Sequence, residues 1–174
     1  MFFILSLLIH ILAGLASVIT GIVAFSMPKR RGHHPRWGKY YLWAYSLVFL
    51  TAAIISFERW QKDSYLFFTA LVAYGLAQVG YAAGRMRRNS RISAALRKRW
   101  VSIHIFAMIG SYVGLVTAFL VDNSHAIPLV NHLPAMAYWF LPGFIGLPFL
   151  VRSLSRYAPK RENTQKAPFT GRRL

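Results

Sequence analysis

With 174 residues, 56% of them hydrophobic, 16% aromatic and only 14% charged, the chain is too short for several soluble domains and too apolar for one ordinary one. It carries 21 Lys and Arg against 4 Asp and Glu, a formal net charge of +17, yet so apolar a chain is no disordered polyelectrolyte. Cysteine is absent, which excludes a disulfide framework, a thiolate metal site and a thiol nucleophile.

Five windows lack any charged residue: Met1 to Pro28, Tyr40 to Phe57, Ser64 to Gly84, Trp100 to Val121 and Asn123 to Val151, with 28, 18, 21, 22 and 29 residues. A hydrocarbon core of roughly 30 Å needs about 20 apolar residues in a helix. The expected fold is therefore an all-α, polytopic membrane bundle over 1–158, with transmembrane helices at about 2–27, 40–57, 64–84, 100–121 and 133–151. The first window has no positive side chain before Lys29 and is too long for a cleaved signal peptide, so it reads as a span. In the last window His125, Pro128, Asn131 and His132 read as a loop. Pro134, Pro142 and Pro148 predict that the helix after it is bent or broken. Residues 159–174 read as a disordered basic tail.

The basic residues predict the topology. Five lie in Lys29 to Lys39, seven in Arg85 to Arg99 and seven from Arg152 onward, leaving only Arg59 and Lys62 elsewhere. With five spans all three basic segments fall on one side, so the positive-inside rule puts the N-terminus out and the C-terminus in. Attraction to anionic headgroups, about 1 kcal/mol per basic residue near the surface, then accounts for the excess charge, and no nucleic-acid partner is expected. Trp37, Tyr40, Tyr41, Trp43, Trp60, Tyr65 and Trp100 read as an interfacial aromatic belt.

Three spans carry small residues at alternating three- and four-residue spacing, the mark of a packed face in lipid. They run His10, Gly14, Ser17, Gly21; Ala70, Ala73, Ala77, Gly80, Gly84; and His104, Ala107, Ser111, Gly114, Ala118. Two of the stripes begin with histidine. An imidazole in a span is costly to desolvate and is expected to face the bundle interior with a partner.

No Asp or Glu lies within a span, which removes a carboxylate proton relay, an intramembrane acid/base pair and a carboxylate-bound hard cation. There is no Gly-rich phosphate loop, HExxH or GxSxG. What remains is imidazole, a ligand for haem iron or a divalent transition metal. Helix-rise arithmetic puts His10 and His104 roughly 18 Å apart along the membrane normal, too far for one haem. Two half-sites follow: His104 with His34 or His33 near the cytoplasm, and His10 with His132 or His125 near the outer face.

The block His10-Ile-Leu-Ala-Gly14, Gly21 and the basic turn from Lys29 lead into His34-x-x-x-Gly38-x-x-Tyr41. With His104-x-x-x-Met108-x-x-Ser111-Tyr112, this resembles the DUF2306 family of predicted bacterial membrane proteins, whose function is not established. The resemblance implies a bacterial inner-membrane location and a shared interest in His10, His34 and His104, but brings no reaction. Where the family carries Arg before the Ser, this chain has Gly110. Within the turn, Gly32 and Pro35 are expected to force a tight reversal and Gly38 to let helices approach.

Three functional readings follow. The first is a redox accessory protein holding haem or a transition metal through these histidines. The second is a structural or assembly subunit docking with other membrane subunits or with its own copies through the small-residue faces. The third is a small oligomeric transporter or channel built on the proline-broken fifth helix with Gly143 and Gly146.

Overall fold

The computed structural model describes residues 2–29, 32–86, 93–128 and 130–158, leaving aside the side chains of 95–98. The expected tail over 159–174 lies outside the described residues, as do Arg30, Arg31 and residues 87–92 of the basic segments. Five α-helices follow one another: α1 (Phe2–Ser26), α2 (His33–Glu58), α3 (Trp60–Met86), α4 (Ala94–Asn123) and α5 (Ala135–Tyr157), with a 3-10 turn at Ser124–Ala126 before α5. There is no strand among the described residues. All five helices are long and apolar enough to cross a bilayer.

Several helices run past the uncharged windows. The largest difference is at α2, which begins at His33 and not near Tyr40. Gly32 takes φ +110°, a left-handed value that reverses the chain without a Cβ penalty. Pro35 then sits in the first turn of α2, where its missing N–H has no helical partner to lose. His33 and His34 are thus helical residues, where a basic loop was expected. Of the bend or break expected in α5, the break is absent: the helix is uninterrupted through Pro142 and Pro148. Each proline removes a helical donor, from the carbonyls of Tyr138 and Phe144, but the turns on either side hold the helix together.

The bundle is apolar outside and small or polar inside. Ile4, Leu8, Ile11, Leu12, Leu15, Ile19 and Ile22 of α1 are exposed, as are Phe140, Phe144, Ile145 and Phe149 of α5. Buried residues include Ala13, Ser17, Gly21 and Ala24 of α1, Ala73, Ala77, Gly80 and Ala83 of α3, and Ala107, Ser111, Leu115 and Thr117 of α4. The expected stripes are buried at Ser17, Gly21, Ala73, Ala77, Gly80, Ala107 and Ser111. Gly14, Ala70, Gly84, Gly114 and Ala118 are only half-buried. Helices with 3.6 residues per turn drift off a strict stripe, so Ala13, Ala24, Ala83 and Leu115 take over at the ends. α1 packs on α2, α2 on α3, α3 on α4, and α5 on α4.

α2 supplies the polar centre. Tyr41 was expected in the interfacial belt, but its side chain is 2% exposed and its hydroxyl donates to Ser111 Oγ at 2.9 Å. Ser111 in turn donates to the Met108 carbonyl at 2.9 Å, and Tyr45 donates to the Ser111 carbonyl at 3.3 Å. A helix places residues four apart on one face, so Tyr41 and Tyr45 point inward together while Tyr40 and Trp43 stay outside. Gly38 does not mediate helix approach, since nothing lies within 4 Å of where its Cβ would stand. Tyr41→Phe is expected to lower stability by about 0.6 kcal/mol, the average for an interhelical hydrogen bond in lipid. Ser111→Ala should cost more, because it leaves a buried phenol without its acceptor. Unfolding free energies of the two variants in mixed detergent–SDS micelles check the order.

Candidate functional site

The ends of α1 and α3 meet the beginnings of α2 and α4 at one junction. His34 enters it from the first turn of α2, and its Nδ1 lies 2.9 Å from the Ala24 carbonyl of α1. His104 enters from α4, and its Nδ1 lies 2.7 Å from the Gly80 carbonyl of α3. A carbonyl only accepts, so each Nδ1 carries the hydrogen and each neutral ring keeps its lone pair on Nε2. The two ring centroids are 6.2 Å apart with an interplanar angle of 84°. The pair therefore links all four helices through two side chains.

Gly84 lies against the His104 ring and leaves room for no more than a Cβ. A Cβ there would stand 3.4 Å from His104 Nδ1 and 3.6 Å from Cε1, so anything larger would press the ring off the Gly80 carbonyl. Trp100, one turn earlier on α4, lies beside the same ring with centroids 6.4 Å apart. Both histidines are half-buried. No buried side-chain nitrogen or oxygen among the described residues lacks a hydrogen bond. Among the described residues neither Nε2 has a hydrogen-bond partner, and since no buried polar atom there is left unpaired, each keeps some exposed surface.

The electrostatic setting is positive. Lys29 folds back from the turn after α1, donating from Nζ to the Ala24 carbonyl at 3.1 Å and the Phe25 carbonyl at 2.8 Å. It shares the Ala24 oxygen with His34, and partial burial holds its ammonium pKa below the usual lysine range. Arg36 and Lys39 are exposed on the following turns of α2. The carboxylates among the described residues, Glu58, Asp63 and Asp122, lie at the opposite end of the bundle, where Arg59 pairs with Asp63 at 3.5 Å.

The other histidines are not gathered into a second site. His10 Nδ1 donates to Thr51 Oγ1 of α2 at 3.0 Å, since the Thr51 hydrogen is engaged with the Leu47 and Val48 carbonyls. That bond ties α1 to α2. His125 is exposed in the 3-10 turn, and His132 is exposed in the segment before α5, which packs on α4. The structure brings neither of them to His10. His33 is exposed beside His34. Among the described residues no three His, Cys, Asp or Glu side chains stand close enough to share a metal ion.

Sequence reasoning missed the acceptors. The Gly80 and Ala24 carbonyls and the Thr51 hydroxyl leave no pattern of their own. The Gly80–Gly84 pair was visible only as part of a packing stripe. No family model matches the chain, and no curated protein or solved structure matches it.

Proposed function

We propose that the chain is a multi-pass protein of the bacterial inner membrane, N-terminus out and C-terminus in, that holds a transition-metal centre through His34 and His104, as a bare ion or as haem iron. One observation carries this reading: two rings 6.2 Å apart, each with Nδ1–H engaged by a main-chain carbonyl and Nε2 left open. Metal-binding imidazoles are held in this way, with the far nitrogen fixed so that ring orientation and tautomer are set in advance. A redox accessory role suits a site at a junction of packed helices. In this reading His10 is an interhelical tie, and His33, His125 and His132 are surface residues.

The membrane setting is supported by the five apolar helices and their apolar exterior. The concentration of Lys and Arg on alternate connections supports the orientation. The likeness of the His10 to Tyr41 block to DUF2306 supports the bacterial setting and the interest in His34 and His104.

The test of the centre is elemental analysis of protein purified in mild detergent, with an absorbance scan before and after reduction. About one iron, copper or zinc per chain is expected, and a colourless, metal-free preparation would reject the reading. For the orientation, the cysteine-free chain allows single cysteines to be introduced directly. In intact cells Gln61→Cys should react with a membrane-impermeant maleimide and Ser155→Cys should not. The reverse pattern would invert the topology.

A further inference from the structure

We infer that the group held between His34 and His104 is a haem and not a bare ion, an inference that rests on the metal-centre reading above. The number of ligands is the first reason. A bare zinc or cupric ion wants about four donors, and no third His, Asp or Glu side chain joins this pair among the described residues. Haem iron receives four nitrogens from its macrocycle and needs only two axial ligands, which two imidazoles supply.

The spacing is the second reason. With a metal–nitrogen bond of about 2.0 Å, two imidazoles on opposite sides of one metal have centroids about 6.3 Å apart. The observed ring separation is 6.2 Å, which serves axial ligation with both Nε2 atoms turned toward the midpoint. Gly38, one turn beyond His34 on α2, leaves clear space where a side chain would otherwise stand. Both rings are half-buried, so the space beside them is not closed off.

Charge is the third. A cation bound by two neutral imidazoles would sit beside Lys29 with no carboxylate at this end of the described residues to offset it. A cuprous ion, which accepts two donors, meets the same objection. Haem brings a dianionic macrocycle and two propionates, and Lys29, Arg36 and Lys39 offer those carboxylates cationic partners.

The test is titration of the full-length protein in detergent with hemin, and separately with zinc and cuprous ions. His34→Gln and His104→Gln are the variants, because glutamine retains an N–H for the main-chain carbonyl and so keeps the helix tie. Retained helical content and unfolding midpoint confirm that each variant is folded.

The expected result is one hemin per chain with a six-coordinate low-spin spectrum. The ferric EPR signal should be strongly anisotropic, as near-perpendicular imidazole planes require. Each variant should weaken hemin binding at least about 100-fold, beyond what loss of an outer-shell partner costs. Stoichiometric zinc or cuprous ion lost in both variants, with hemin refused, would overturn the haem and leave the metal centre standing. Hemin uptake indifferent to both variants would also overturn it. Binding of none of the three would overturn both.

Discussion

On the proposed metal-centre reading, His104→Gln is expected to strip the metal from the purified protein while the bundle stays folded. The ring supplies one of the two open Nε2 atoms at the junction, so its removal halves the ligand set. The loss should exceed the 10- to 100-fold, roughly, that follows removal of an outer-shell partner. Gly84→Leu should give an effect within that smaller range without touching a ligand. Its side chain would push the ring away from the Gly80 carbonyl that orients it. His10→Gln should retain full metal, because His10 spends its Nδ1–H on Thr51 and has no histidine brought to it. Metal content per chain for the three variants checks the order. Equal loss in all three would show that the metal sits elsewhere.

The second large effect is expected at Gly114→Val. A Cβ at position 114 would stand 2.5 Å from the Ala73 Cβ and 3.5 Å from its Cα, so α3 and α4 would have to separate. No long side chain is available to swing aside. Overpacking of this kind costs about 1–3 kcal/mol and sometimes more. In lipid the loss falls on the term that drives helix association, close van der Waals packing. Ala73→Gly removes the opposing methyl, and the double variant should recover much of the stability. Unfolding free energies across that cycle measure the coupling. A double variant no better than Gly114→Val alone would mean that the two helices do not meet there.

Five apolar windows between charged residues were enough to number the helices, because a span must be both long and uncharged to leave water. The ends were less legible. α2 extends back to His33 because a left-handed Gly32 and a first-turn Pro35 favour an earlier start than the charge boundary suggests. Tyr41 shows how interior and interface can be confused: a tyrosine near a span end fits an aromatic belt, and only the Ser111 hydroxyl across the bundle draws it inward. The fifth helix was legible in its prolines but not in its continuity. Three prolines argued for a bend or a break; Pro134 sits at the N-cap, and the helix continues unbroken on both sides of Pro142 and Pro148.

The histidines were legible as a class and only partly as a site. The small-residue stripes give the face they lie on and the helix rise gives their depth, and from depth alone His104 could be offered His34 or His33. The structure places His34 beside His104, its ring turned in to the Ala24 carbonyl near the end of α1, while His33 is exposed. On the other side of the bundle the same reasoning offered His10 the loop residues His125 and His132. It overlooked Thr51 because α2 carries no small-residue stripe to mark its inner face. Partners that are main-chain carbonyls or lone hydroxyls depend on how helices cross, and that crossing has no signature in a single sequence.

On the proposed reading two imidazoles, one from α2 and one from α4, bind the same metal. X-ray absorption at the edge of the co-purifying metal tests it most directly. Imidazole scattering at about 2.0 Å is expected in the parent protein, and a diminished imidazole signal in whatever metal His34→Gln retains. A metal whose ligand shell is unchanged in His34→Gln and His104→Gln, or a protein that co-purifies with none, would contradict it.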